Sequence, residues 1–292
     1  MANIHKRVRE NLEGEFFVDT TCIDCDACRQ LAPETFEDTG EFSFVYHQPE
    51  TDGERRNAMR ALLACPVGSI GTAHPNNARE VMQDFPMRLN PDAPEKVYYC
   101  GFNSPDSYGG NSYFIQHPDG NWLIDSPRFI PHLVSQFEAL GGLRYIFLTH
   151  RDDVADADRY AEKFGAQRII HREELSAQPD AEIVFEGVEP VRFAEEFRLI
   201  PTPGHTKGHS VLLYKHQYLF TGDHLWWNRE TRDLGASRSY CWYSWEAQKE
   251  SMVRLAEETF EWVLPGHGDR MRLDKSDMKR AMTALLKKMN VV

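Results

Sequence analysis

The sequence predicts an α/β chain of two domains, a small α+β domain followed by a larger mixed α/β domain. Two observations predict this. Four of the six cysteines lie within the first 65 of the 292 residues, and such clustering marks a compact metal or redox unit. From about residue 97, short apolar runs bounded by Gly, Pro, Asp or His are interspersed with segments of helical periodicity, which is typical of a mixed strand and helix domain.

The domain boundaries are predicted from composition. Residues 1–72 hold the clustered cysteines and form the first domain. Residues 73–96 contain four prolines, so this segment is expected to be a linker or wrapping loop without a regular element. Residues 97–292 form the larger domain.

The elements of the larger domain follow from the apolar pattern. Strands are predicted at 97–102, 112–116, 122–124, 144–149, 168–170, 197–200, 211–214, 218–220 and 262–264. Helices are predicted at 130–140, 153–164, 245–260 and 275–289.

Composition excludes several classes of protein. The chain is 41% hydrophobic with a net charge of -12, so it can fill a core and is a poor nucleic-acid partner, because phosphate binding needs clustered Lys and Arg. It has no apolar run of about 18 residues that would span a membrane and no secretory signal at its first residues. We therefore expect a cytoplasmic protein that binds neither nucleic acid nor membrane.

The cysteine spacing is the first pattern that indicates chemistry. Cys22, Cys25 and Cys28 are each separated by two residues, and Cys65-Pro66 follows at a distance. Three close thiolates and a remote fourth suit one [4Fe–4S] cluster. The alternatives are a zinc site or four unrelated thiols, and zinc usually takes paired Cys-x-x-Cys units. The pattern favours the cluster.

This segment resembles the single-cluster bacterial ferredoxins. The resemblance covers residues 16–70 and includes the stretches Ala-Pro-Glu-Thr-Phe at 32–36 and Cys-Pro-Val-Gly-Ser-Ile at 65–70. It implies a small α+β ferredoxin-like fold in which Cys22, Cys25, Cys28 and Cys65 bind the cluster.

Histidine and aspartate side chains follow the predicted buried strands of the larger domain. His150, His205, Asp223 and His267 each come shortly after such a strand, where loops at one sheet edge converge. Imidazole and carboxylate together suit zinc or iron. The sequence therefore predicts a metal site at this edge.

The order of these motifs resembles the metallo-β-lactamase superfamily. Thr149-His150, Pro203-Gly-His205-Thr-Lys-Gly, Thr221-Gly-Asp223 and Pro265-Gly-His267-Gly match its motifs over about residues 97–270. The resemblance implies a four-layer αβ/βα sandwich with one or two metal ions. It also implies that His205, Asp223 and His267 are ligands, with Asp223 bridging.

The most diagnostic motif departs from that family. In place of His-x-His-x-Asp-His the chain reads His-Arg-Asp-Asp-Val-Ala at 150–155, so Asp152 stands in the second His position, and Val and Ala cannot bind metal. One site would keep His150, Asp152, His205 and Asp223. The second would keep Asp223 and His267 unless Asp153 or Asp156 reaches it. The alternative is that Asp152 caps a helix that starts there and that Asp153 favours its dipole.

Three functions remain open. The first is a hydrolase-like metal enzyme with one or possibly two Zn or Fe ions, in which Asp152 and Asp223 act in catalysis on a small-molecule substrate. The second is an oxidoreductase, because the carboxylate in the second His position resembles the flavodiiron branch. The third is a non-catalytic electron carrier. All three expect an electron donor or acceptor protein as a partner.

Other side chains near these motifs have ordinary interpretations as well. His209 and His224 flank expected ligands and suit either a supporting or a structural role. The tryptophans between Trp226 and Trp245 are expected to pack in the core rather than to cover a metal site.

Overall fold

The computed structural model describes residues 2–74 and 78–291. Its backbone contacts divide the chain into two compact units, Met1–Leu143 and Arg144–Val292. The first unit contains the whole of the predicted cysteine-rich domain and the opening strands of the predicted larger domain. The boundaries at residues 72 and 97 therefore stay a prediction.

The first unit begins with a small α+β arrangement. Its elements are β1 (Phe16–Val18), α1 (Ala27–Leu31), β2 (Phe36–Asp38), β3 (Ser43–Val45), α2 (Asp52–Ala64) and β4 (Ile70–Thr72). Strands β1 and β4 pair antiparallel, and β2 and β3 form a second antiparallel pair. Helix α2 begins at a capping box, in which Thr51 and Glu54 satisfy each other's backbone N–H groups, as the Thr-x-x-Glu spacing favours.

The rest of the first unit is an antiparallel sheet with helices. Its elements are α3 (Ala78–Val81), β5 (Met87–Arg88), β6 (Lys96–Tyr99), β7 (Tyr113–Gln116), β8 (Trp122–Ile124) and α4 (Pro131–Ala139). Each strand from β5 to β8 pairs with the next. The expectation of an irregular segment at 73–96 is corrected here, because α3, β5 and the first residue of β6 lie in it. Its residues 75–77 lie outside the described part of the chain.

The second unit contains two sets of strands with helices. Its elements are β9 (Tyr145–Phe147), α5 (Ala157–Phe164), β10 (Gln167–His171), β11 (Ile183–Phe185), β12 (Val191–Ala194), β13 (Phe197–Pro201), β14 (Ser210–Tyr214), β15 (Tyr218–Gly222), β16 (Trp226–Asn228), β17 (Asp233–Gly235), α6 (Trp245–Leu255), β18 (Trp262–Pro265), β19 (Met271–Arg272) and α7 (Lys275–Lys288). Strands β9, β10 and β11 are parallel. The order β12-β13-β14-β15-β18-β19 forms a six-stranded mixed sheet.

The six-stranded sheet buries one face against α6 and α7. Val211, Leu213 and Val263 on the strands join Met252 of α6 and Met282 of α7 in one apolar core. The period of two along each strand puts these residues on the same face. The intervening residues of the central strands β14 and β15 are buried as well, so both faces of these two strands are covered.

The mixed α/β class predicted from the sequence is confirmed. All nine predicted strands and all four predicted helices of the larger domain are present, with shifts of a few residues at their ends. Helix α5 begins at Ala157 rather than at 153, and α6 ends at Leu255 rather than at 260. The four-layer arrangement stays a prediction from the resemblance. No helix in the described ranges has the length and apolar character needed to cross a membrane.

Candidate metal centres

Four loops at one edge of the second unit carry the candidate ligands. Strands β13, β15 and β18 run in the same direction, since β14 is antiparallel to both its neighbours and β18 is parallel to β15. Their carboxyl ends therefore meet at one edge, where they present His205, Asp223 and His267. His150 follows β9 and reaches the same place.

The first group of side chains consists of His150, His205 and Asp223. Oδ2 of Asp223 lies 3.7 Å from Nε2 of His150 and 3.6 Å from Nε2 of His205. Asp152 joins them, with its Oδ2 at 3.8 Å and 3.6 Å from the same two nitrogens. Two ligand atoms about 2.1 Å from one tetrahedral ion are about 3.4 Å apart, so the spacing fits a metal ion.

Both imidazoles of this group present the same ring atom to the pocket. Nδ1 of His150 lies 2.9 Å from Oγ1 of Thr149, and Nδ1 of His205 lies 2.5 Å from the carbonyl oxygen of Tyr240. Nε2 of each ring is buried and has no hydrogen-bond partner among the described residues. Burial lowers the pKa of His150 to about 4, which keeps this ring neutral. Metal-binding histidines are held in this way.

The second group consists of Asp153, Asp223 and His267, whose ligand atoms lie within 4.8 Å of one another. Asp153 is only 1% exposed, although the motif left its role open between ligand and helix dipole. Asp156 instead pairs with Arg159 at 3.0 Å. Since α5 begins at Ala157, neither Asp152 nor Asp153 caps it.

Asp223 is common to both groups. Its Oδ1 accepts a hydrogen bond from Nδ1 of His267 at 2.8 Å, while its Oδ2 faces His150 and His205. Burial acts to raise the pKa of Asp223, but the charge and hydrogen bond of His267 bring it well below its ordinary value. A carboxylate turned to two sets of donors suits a bridging ligand, and the His and Asp donors fit zinc or iron. The five predicted metal ligands are thus brought together, and their ligand role stays a prediction.

The flanking histidines differ in their surroundings. Nε2 of His209 accepts a hydrogen bond from the backbone N–H of Asp223 at 3.2 Å, and its Nδ1 lies 2.9 Å from Oγ1 of Thr202. His209 therefore holds the Asp223 loop. His224 is fully buried, with its ring stacked on that of His209 at 5.5 Å.

The aromatic segment after Asp223 is only partly in the core. Trp227 and Trp245 pack against the apolar core, as expected. Trp242 and Tyr240, in contrast, are each 64% exposed. The ring of Trp242 lies 6.0 Å from that of His205, so this part of the segment flanks the candidate metal site.

The cysteine site lies in the first unit. Cys22, Cys25, Cys28 and Cys65 line one cavity, and none of them forms a disulfide. Cys28 and Cys65 are buried, and Cys22 and Cys25 are partly exposed. Four sulfurs that face one cavity can bind one iron–sulfur cluster or one zinc ion.

Hydrogen bonds and burial prepare these sulfurs for metal. The backbone N–H of Asp24 lies 3.4 Å from the sulfur of Cys22. The backbone N–H of Ser69 lies 3.4 Å from the sulfur of Cys65. Burial raises the pKa of Cys25 to about 12. A buried thiolate therefore needs a cation, which the iron of a cluster would supply.

The loop between the cysteines is fixed by a left-handed backbone and a buried arginine. Asp24 and Asp26 have φ of 54° and 67°, a conformation that Asp tolerates better than most residues. Arg29 binds both carboxylates at 2.7 Å. These contacts turn successive cysteines toward one cavity.

Sequence reasoning missed the backbone that covers this site from outside the cysteine-rich segment. An added Cβ at Gly109 would lie 2.8 Å from the sulfur of Cys25, so the loop at Gly109 packs directly on the cluster site. It also missed the Tyr240 carbonyl behind His205. Neither has a signal in the sequence, because a backbone carbonyl and a glycine carry no functional group that marks them.

Comparison with solved structures finds similar chains in the metallo-β-lactamase superfamily. An archaeal superfamily protein from Sulfolobus tokodaii is 20% identical, with a TM-score of 0.47, over 66% of this chain and 86% of its own. A family protein from Thermus thermophilus is 18% identical, with a TM-score of 0.48, over 66% and 79%. ETHE1 from Myxococcus xanthus is 20% identical, with a TM-score of 0.48, over 65% and 84%.

The cysteine-rich segment has a more specific match. Residues 18–72 match the family described as the 4Fe-4S single cluster domain of Ferredoxin I. The match contains all four clustered cysteines and ends at the last residue of β4. Residues 18–72 of this chain are therefore a 4Fe–4S single-cluster domain of the ferredoxin type.

Proposed function

We propose that the chain is a metal-dependent enzyme with hydrolase-like chemistry, whose [4Fe–4S] domain transfers electrons or senses redox state. The observation that carries the proposal is the shared position of Asp223 between two groups of His and Asp side chains. The buried Nε2 atoms of His150 and His205, which have no hydrogen-bond partner among the described residues, support it, because a buried nitrogen without a hydrogen bond is costly unless a ligand satisfies it.

The residues of the pocket would bind metal in two groups. His150, His205 and Asp223 would hold one zinc or iron ion, with Asp152 beside them. Asp153 and His267, together with Asp223, would hold a second ion. A bound ion of this kind lowers the pKa of water and polarises a substrate carbonyl.

Asp152 is the candidate for proton handling. Its side chain is 50% exposed, whereas that of Asp223 is 16% exposed. The Asp152 side chain therefore lies at the solvent side of the candidate ligands, where its carboxylate would accept a proton from water or substrate. A small-molecule substrate would approach from this side, past the exposed Tyr240 and Trp242.

Metal content tests this proposal. Protein purified without oxygen should contain four irons for the cluster and at least one further zinc or iron ion per chain, measured by element analysis and paramagnetic resonance. Four irons and no other metal would contradict the proposed enzyme and would favour a non-catalytic electron carrier.

One observation favours oxidoreductase chemistry as the second candidate. His150, His205 and Asp223 form a set of two histidines and one carboxylate, which is the facial triad typical of non-haem iron. The iron–sulfur domain would then pass electrons from a donor protein to pocket iron.

Reduction of the pocket separates the two candidates. After dithionite reduces the cluster, pocket iron in the second candidate should change oxidation state, seen by paramagnetic resonance. A pocket that contains only zinc, with no change on reduction, would favour the hydrolase-like enzyme.

A further inference from the structure

A buried carboxylate lies behind the metal pocket and touches two of the loops that carry the candidate ligands. Glu174 is completely buried and belongs to a short 3-10 segment, Arg172–Ala177, after β10. A buried charge is costly unless it is paired and hydrogen-bonded. Its partners therefore show which parts of the chain it holds.

The first partner is the loop after β9. Oε2 of Glu174 accepts a hydrogen bond from the backbone N–H of Arg151 at 3.2 Å and from Nε of the same residue at 2.6 Å. Arg151 stands between His150 and Asp152 in the chain. His150, Asp152 and Asp153 are candidate ligands, and all three lie on the short stretch that Glu174 binds at Arg151.

The second partner is the loop after β13. Oε1 of Glu174 accepts a hydrogen bond from the backbone N–H of Gly208 at 2.6 Å. A Cβ at Gly208 would lie 2.9 Å from Cγ of Glu174, so the absence of a side chain allows this close approach. The loop carries His205 on one side of Gly208 and, on the other, His209, which holds the backbone of Asp223.

We propose that Glu174 is a positioning residue for the pocket metal, because its carboxylate sets the spacing between the loop of His150 and the loop of His205. The inference rests on the proposed function. Glu174 itself does not reach the ligand atoms. Partners of this kind, outside the ligand set, orient metal ligands and affect affinity without touching the ion.

The test measures metal binding in a variant that keeps the size of the side chain. In Glu174→Gln the amide oxygen still accepts from Gly208, but the amide nitrogen cannot accept from Arg151. We expect the Kd for Zn²⁺ in the pocket to rise by about 10- to 100-fold, measured by chelator competition on full-length protein with its cluster in place. The visible spectrum of Co²⁺ bound in the pocket should change, since it reports ligand geometry. The visible absorption of the cluster should not change.

Two further variants complete the experiment. Glu186→Gln is the matched control, because Glu186 is an exposed residue of the same unit that pairs with Arg172 at 3.3 Å, and its Kd should equal that of the wild type. Arg151→Met removes a 41% exposed side chain and should raise the Kd by a smaller factor. If Glu174→Gln does not fold, the Kd of Arg151→Met for Zn²⁺ tests the positioning role. A Kd above that of Glu186→Gln supports the role, and an equal Kd overturns it.

The outcomes are distinct. A Kd and Co²⁺ spectrum of Glu174→Gln equal to those of Glu186→Gln overturn the positioning role but leave the metal site intact. A wild-type protein that binds neither Zn²⁺ nor Co²⁺ in the pocket overturns the proposed function, and the positioning role with it.

Discussion

Nδ1 of His267 donates a hydrogen bond to Oδ1 of Asp223 across 2.8 Å. This contact joins the loops after β15 and β18, which are parallel neighbours in one sheet. It turns one carboxylate oxygen toward His267 and leaves the other for His150 and His205. The geometry makes Asp223 the centre of the candidate site.

Replacing Asp223 with alanine should therefore empty the pocket. Residues outside the ligand set typically change metal affinity by about 10- to 100-fold. We expect the loss of Asp223 to weaken the binding of Zn²⁺ or Fe²⁺ in the pocket by more than that. The visible absorption of the cluster should be retained. Asp156→Ala is the control, because Asp156 pairs with Arg159. Equal loss of pocket metal and cluster would argue against two independent sites.

Asp153 tests whether the pocket holds a second ion. Asp153→Asn keeps the size of the buried side chain but removes its charge, and amide oxygen is a weaker ligand for zinc than carboxylate. We expect the metal content of the pocket to fall by one ion per chain if two ions bind, with the ion at His150 and His205 retained. Element analysis measures this, with Asp156→Asn alongside. An unchanged pocket content would exclude Asp153 as a ligand.

Cys65 is the remote ligand of the predicted cluster. Cys65→Ser should abolish or strongly reduce the visible absorption of the cluster, because oxygen replaces sulfur as a ligand, and the pocket should still bind Zn²⁺. Cys100→Ala serves as the control, since Cys100 is buried away from the four-cysteine cavity. A Cys65→Ser protein with normal iron content and absorption would contradict this ligand assignment.

Gly109 tests the contact between its loop and the cluster site. An added methyl group would lie 2.7 Å from Cβ of Cys25 and 2.8 Å from its sulfur, at φ +83°. Gly40 has φ +87° and nothing within 4 Å of an added Cβ, so Gly40→Ala carries the same backbone strain, about 1–2 kcal/mol, without the clash.

Gly109→Ala should therefore lower cluster occupancy and the free energy of unfolding more than Gly40→Ala does. Iron content and urea unfolding under anaerobic conditions measure both effects. Equal values for the two variants would mean that the loop does not pack on Cys25.

From residue 73 onward, the sequence was sufficient for most of the helices and strands, whereas no individual elements were predicted for residues 1–72. Strands such as β14 and β15 are buried at every position, and helices such as α7 have clear periodicity. Several strands were missed, namely β5, β11, β12, β16, β17 and β19. Strand β12 shows why, because none of its residues is buried and its stability comes from pairing with β13, which a local pattern does not contain.

The candidate site divides in the same way. His150, His205, Asp223 and His267 were predicted because each follows an apolar run. The choice between Asp153 and Asp156 was left open, since both lie on one short stretch with the same chemistry. The structure brings Asp153 within 4.8 Å of the ligand atoms of Asp223 and His267, whereas Asp156 pairs with Arg159. The ligand role of Asp153 stays a prediction.

By itself, the sequence determined the chemistry that this chain carries: four cysteines spaced for a cluster, and His and Asp side chains at strand ends. These patterns are local, because each one depends on the identity and spacing of a few residues within a short stretch of chain. The tertiary structure decided which groups meet. Glu174 binds the backbone of two ligand-bearing loops, and the loop at Gly109 packs on Cys25. Such contacts join residues far apart in sequence through backbone groups and buried charges, and only the packed fold brings them within bonding distance.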